Sequence, residues 1–105
     1  MNDEELVTFA NEFREGILDG GASALMCFAV CAPLATLLSM HGVECNVAKT
    51  DLGWIEHFWL RLPDGRALDP TADQFNNSGY GPFPPVYLGA PTTIHQASGP
   101  GVEKQ

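Results

Sequence analysis

Cys27, His57 and Asp69 supply, in that order along the chain, the three residue types that make a thiolate nucleophile, its base and the carboxylate that orients the base. A free thiol is mostly protonated at neutral pH, so a cysteine nucleophile needs a helix N-terminus or a neighbouring imidazolium to favour the anion. Cys27 opens an apolar run with helical character and His57 sits in an alternating stretch, so both aids are within reach. The chemistry expected is attack on an acyl carbonyl through a thioester. Cys31 is expected to be a core thiol, Cys45 a strand packing residue and Asp73 the rival acid. His41 and His95 are expected at the surface, the latter in the tail.

The same residue types allow a metal alternative. Cys27, Cys31, His41 and Cys45 offer four ligands for structural zinc. About 15 Å of helix between Cys31 and His41, at 1.5 Å per residue, opposes closing one tetrahedron over them. No cofactor is therefore expected.

The elements that must position the three residues follow from periodicity. Leu6, Phe9, Ala10, Phe13 and Ile17 recur at three- and four-residue steps over residues 2–18, after a cap at Asn2 or Asp3, which predicts an amphipathic helix. Gly20-Gly21 ends it. A second helix, capped at Ser23 or just after, runs to about Met40 and reads as buried on nearly every face. Pro33 inside it implies either a mild kink or helical bonding that begins only three or four residues earlier. Val43 to Ala48 reads as a strand. Trp54 to Leu62 alternates, with Ile55, His57, Trp59 and Arg61 on one face. Pro63-Asp64-Gly65 turns the chain into a partner strand at Arg66 to Leu68, which carries Asp69 back toward His57. Pro85 to Leu88 can add a short strand, and residues 96–105 read as a mobile tail after one domain spanning 1–95. The fold class expected is α+β, an N-terminal helix and a central Cys-bearing helix on a small antiparallel sheet.

Composition bounds the partners. Thirteen acidic against five basic residues give a net charge of −8, which repels nucleic acid and anionic membranes and suits a neutral or basic protein or peptide substrate. No apolar run reaches the ~18 residues of a membrane span. The acidic start MNDEELVTF lacks the basic region of a secretory signal, and three cysteines cannot all pair, so a cytoplasmic, reducing setting is expected.

The stretch Cys27, Val30, Cys31, Leu34, Leu38, Gly42, with His57-Phe58-Trp59 and then Leu68-Asp69-Pro70-Thr71-Ala72-Asp73-Gln74-Phe75, resembles the transglutaminase-like branch of the papain-like cysteine fold. The resemblance covers roughly residues 22–75, and the Asp-Pro-Thr segment is its most specific part. It implies a minimal papain-like core with Cys27, His57 and Asp69 as triad. The implied activity is that of a cysteine peptidase, amidase or acyltransferase, or of an inactive interaction protein that keeps the scaffold. Val30 and Cys31 stand where the family commonly has Ala-Ser, and no glutamine precedes Cys27 as an oxyanion donor. The Cys27 N–H is one donor; Asn11, Ser23 and Trp54 are the candidates for the second. Trp59, Trp54 and Ser23 are the candidate substrate contacts, the tryptophans also suiting the core.

Overall fold

The computed structural model describes residues 1–19, 21, 26–76 and 79–96, so Ser23 and the expected tail from residue 97 onward lie outside the described residues. Two helices pack on a four-stranded antiparallel sheet of order β1-β2-β3-β4. Helix α1 spans Asp3–Leu18 and α2 spans Cys27–Met40; the strands are β1 Asn46–Asp51, β2 Glu56–Arg61, β3 Ala67–Asp69 and β4 Tyr87–Gly89.

Local chemistry sets the helix starts. The Asn2 side chain accepts the Glu5 N–H at 2.8 Å while Glu5 accepts the Asn2 N–H at 2.9 Å, a reciprocal capping box of a kind that contributes about 1 kcal/mol. The buried stripe of α1 is Leu6, Ala10, Arg14 and Leu18, one position round from the stripe expected, with Ile17 exposed. Helix α2 runs unbroken through Pro33, with the Val30 N–H bonded to the Met26 carbonyl. It therefore starts six residues before the proline rather than three or four. Nor is it buried all round: Val30, Cys31, Leu34 and Leu38 face inward, whereas Phe28, Ala29, Pro33, Thr36 and Met40 face out.

Alternation divides the sheet into two faces. Leu60, Leu62 and Leu68 join Cys31, Leu34, Leu38, Leu6 and Ala10 in the main core between sheet and helices. On the opposite face Trp59 packs with Ala48 and Ala67, and beyond it Phe75 packs with Ala72 and Ile94. β1 begins at Asn46, three residues later than expected, and pairs with β2 from Asn46↔Arg61 to Asp51↔Glu56. The ladder from β2 to β3 is much shorter, Leu60↔Leu68 and Arg61↔Ala67. This early end leaves the β2 edge open beside Phe58. The chain after Asp69 forms a 3-10 turn at Ala72–Phe75, returns through β4 and ends in a second 3-10 turn at Thr93–His95.

Arg14 ties these pieces together. Its Nη1 donates to the carbonyls of Pro70 and Pro85 at 3.1 and 2.8 Å and to Asp73 Oδ1 at 3.0 Å. A buried guanidinium that reaches two carbonyls and a carboxylate fixes the Asp-Pro-Thr segment against α1. Among the described residues no helix is long and apolar enough to cross a membrane.

Candidate active site

The open edge of β2 is where the site assembles. In an antiparallel strand one residue directs its N–H and C=O to the same side, and residues two apart share that side. Leu60 pairs with Leu68 and the Leu62 N–H bonds the Arg66 carbonyl at 2.9 Å, so Phe58 directs its backbone groups to the same edge, past the end of the β2–β3 ladder. The N-terminal turn of α2 fills that gap. The Phe58 backbone acts on the Cys27 thiol, lowering its pKa, and the Cys31 thiol donates to the Phe58 carbonyl at 3.4 Å. Two cysteines one helical turn apart thus grip a single residue of the strand, which places Cys27 beside the residue that precedes Phe58. That residue is His57.

His57 and Asp69 share the face opposite α2. Leu68 stands opposite Leu60, so Asp69 lies one step further along β3 and its side chain returns to the His57 side as a diagonal neighbour. His57 Nε2 donates to Asp69 Oδ2 at 2.6 Å, and neither side chain is exposed. Asp69 Oδ1 accepts the Thr71 N–H at 3.0 Å, an Asx turn that holds the carboxylate at the start of the Pro70-Thr71 bend. His57 Nδ1 is enclosed and has no hydrogen-bond partner. With Nε2 on Asp69, Nδ1 is the ring nitrogen left for the Cys27 thiol, and the interaction of the two side chains lowers the thiol's pKa and raises the imidazole's. The donor to Asp69 fixes the ring and its tautomer, so that the other nitrogen is the one free to serve a thiol.

Electrostatics matches this geometry. Burial raises the Cys27 thiol, but the hydrogen bond and charge of His57 and the N–H groups of Phe58 and Phe28 outweigh it, so its pKa lies below the ordinary 9.0. Burial pulls His57 down, yet the charge and hydrogen bond of Asp69, with Cys27, hold it up at about 9. Burial raises Asp69, and His57 and His95 bring it down to about 2. Cys31 is pushed well above 9.0 by burial and by the fields of Asp69 and Cys27, so it stays a thiol. These shifts all run in the direction of a thiolate–imidazolium pair beside a buried carboxylate.

His95 is a correction to the sequence expectation. It is buried, not a surface residue of the tail, and its Nε2 lies 2.7 Å from the same Asp69 Oδ2. Tyr87 stacks on its ring at 5.3 Å and 14°, and Trp59 and Phe83 meet its edges. Trp59 is a second correction: it is wholly buried with its indole N–H on Thr50 at 3.0 Å, so it cannot wall a cleft. Trp54 is 62% exposed and rests edge-on upon Phe75, whose ring meets His57 at 4.7 Å. Of the oxyanion donors considered, Trp54 alone among the described residues is joined to the site in this way. Asn11 lies on the exposed side of α1, in a groove with Pro84 and Val86. Asp73 pairs with Arg14, and of the two carboxylates it is Asp69 that meets His57. Cys27 is buried, its residue being 5% exposed, and Phe28 beside it is 53% exposed and packed on Phe58 at 4.9 Å.

The zinc quartet is not assembled: Cys31 is in the main core on the Phe58 carbonyl, while His41 is exposed at the end of α2 against Phe9. Among the described residues the group able to bring three ligand atoms together is His57, Asp69 and His95, within 4.8 Å of one another. Both Nε2 atoms lie 2.6 and 2.7 Å from one oxygen, closer than the about 3.3 Å that separates two ligands in tetrahedral zinc with bonds near 2.0 Å. This spacing suits two N–H donors on a carboxylate. No family model matches this chain, and no curated protein or solved structure matches it.

Proposed function

We propose that the protein is a small cysteine hydrolase or acyltransferase that cleaves an amide through Cys27, His57 and Asp69. The observation that carries this reading is one buried imidazole with Asp69 at 2.6 Å on Nε2 and an enclosed, unpartnered Nδ1, coupled to a cysteine whose thiol pKa it lowers. A histidine that only stabilised the fold would not need its second nitrogen turned to a thiol whose pKa is lowered. The resemblance of Cys27, His57-Phe58-Trp59 and Asp69-Pro70-Thr71 to transglutaminase-like and papain-like enzymes points to the same chemistry.

The steps follow from the residues. The Cys27 thiolate attacks the carbonyl carbon, a C–S bond forms and the carbonyl π pair moves to oxygen, near the N–H groups of the first turn of α2. On collapse the C–N bond breaks and His57 Nδ1 gives its proton to the departing nitrogen. A water or amine then attacks the thioester, His57 takes its proton, and the thiolate leaves. Asp69 keeps Nε2–H in place throughout and stays ionised. Trp54, joined to His57 through Phe75, and Phe28, next to Cys27, are exposed aromatic side chains that suit an apolar residue beside the cleaved bond, while the net charge of −8 favours a neutral or basic peptide or amine.

An acyl p-nitrophenyl ester tests the reading. The expected result is a burst of one p-nitrophenolate per chain, with an acyl mass on Cys27 that hydroxylamine removes and that Cys27→Ala lacks. Turnover that survives Cys27→Ala, or no acyl adduct at any pH between 6 and 9, contradicts catalysis and leaves the scaffold as an interaction module.

A further inference from the structure

We infer that His95 is a positioning residue of this site, a neutral second donor that locks the Asp69 carboxylate so that His57 presents Nδ1 to Cys27. The inference rests on the proposed thiol chemistry and concerns a residue outside the triad.

The hydrogen-bond pattern fixes the state of His95. The Thr92 backbone N–H donates to His95 Nδ1 at 3.1 Å, and the Thr92 hydroxyl lies 3.0 Å from the same atom. A backbone N–H can only donate, so Nδ1 carries a lone pair and the ring proton is on Nε2. That proton points at Asp69 Oδ2, 2.7 Å away. His95 is therefore held as a neutral ring. The carboxylate then has one cationic partner, His57, and two neutral donors, the His95 Nε2–H and the Thr71 N–H at 3.0 Å. Three donors from three segments leave Asp69 no alternative rotamer, and its charge is aimed at His57.

The effort the fold puts into His95 supports a site role. The chain after β4 turns back so that a 3-10 turn of three residues delivers this side chain, 26 positions after Asp69, into a cage of Tyr87, Trp59 and Phe83. An apolar residue would fill that cage without a partner. A histidine there needs both of its nitrogens satisfied, and one of the satisfying groups is the triad acid.

Among the described residues the titratable and charged groups around Asp69 come from every packed element. Helix α2 brings Cys27 and Cys31, β2 brings His57 and Arg61, whose guanidinium lies 5.5 Å over the Trp59 ring, β4 brings Tyr87, and the last 3-10 turn brings His95; Arg14 of α1 reaches the adjacent Pro70 carbonyl. β1 brings Thr50, whose hydroxyl is taken by Trp59 and which does not titrate. The pH profile of Cys27 reactivity thus reads this small set.

Two amide variants separate positioning from packing. His95→Gln keeps an N–H donor near the place of Nε2, whereas His95→Asn is too short to reach Asp69. The rate of Cys27 alkylation by iodoacetamide is followed from pH 5 to 10, with the thermal midpoint of each variant. The expected result is that His95→Asn moves the midpoint of the Cys27 profile about one pH unit upward, a rate about ten-fold lower at neutral pH, and that His95→Gln stays close to the wild-type profile. Nitrogen-15 ring shifts of the wild-type protein, which need no variant to fold, are expected to show His95 at neutral pH as the Nε2–H tautomer with Nδ1 unprotonated. Profiles for Asn and Gln that both match wild type, or that both fall together, overturn the role of His95, as does a protonated Nδ1. A wild-type Cys27 no more reactive than Cys45, or equally reactive in His57→Ala, instead overturns the thiol chemistry itself and the inference with it.

Discussion

The Nε2–H of His57 donates to Oδ2 of Asp69 across 2.6 Å in a place that water does not reach. Because Asp69 accepts on that side, the imidazole has no freedom to exchange tautomers, and its other nitrogen is the one left for Cys27. Replacing Asp69 by Asn tests this directly. The amide must set its NH₂ either against the two histidine N–H groups or against the Thr71 N–H, so one donor meets another. Asp69→Asn is expected to lower the Cys27 alkylation rate at neutral pH at least about ten-fold. An unchanged rate would remove Asp69 from the triad.

The same pair gives stability a pH signature. His57 is raised from 6.5 to about 9, so the stability it contributes is fully present below pH 6.5 and is lost as pH rises through about 9. Asp69 is lowered from 3.8 to about 2, so its contribution is present above 3.8 and is lost as pH falls toward about 2. Thermal unfolding is therefore expected to be most resistant between about pH 4 and 6.5. The alkaline loss from His57 is on the order of 3 kcal/mol at most, because each tenfold change in proton affinity between the folded and unfolded chain is worth about 1.4 kcal/mol, and the lowered Cys27 thiol offsets part of it. Asp69→Asn should flatten both edges; a variant with the wild-type pH curve would contradict the assignment.

Arg14→Ala should cost stability out of proportion to one exposed-looking arginine on an amphipathic helix. It leaves the Pro70 and Pro85 carbonyls without their charged donor and Asp73 without its cation. The expected loss is about 3 kcal/mol in urea unfolding. A loss below about 1 kcal/mol would mean that water replaces the guanidinium without penalty.

Much of this framework is legible in the residues themselves. Asn2 and the four-residue steps announce α1, Pro63-Asp64-Gly65 announces the hairpin, and alternation places His57 and Trp59 on one face. Arg14 is harder to see because an arginine on a helix reads as solvated, although it stands four residues from both Ala10 and Leu18 in the buried stripe. The exposed face of α2 is hidden by its uniform apolarity, which gives no period to separate Val30 from Phe28. His95 is hidden for a different reason. Its segment has no periodicity, and its partner Asp69 is set by tertiary packing. The signal that points to it is the aromatic content of Tyr80, Phe83 and Tyr87, more apolar surface than a solvated tail carries.

The central claim is that Cys27 is an activated nucleophile with His57 as its base, and competitive alkylation tests it most directly. Limiting iodoacetamide at pH 7, followed by peptide mass mapping, should label Cys27 well before Cys31, which is buried and raised, and before Cys45, whose thiol burial also raises. His57→Ala should abolish that preference while the fold persists. Equal labelling of Cys27 and Cys45 in the wild-type protein, or a preference for Cys27 that survives His57→Ala, would contradict the account.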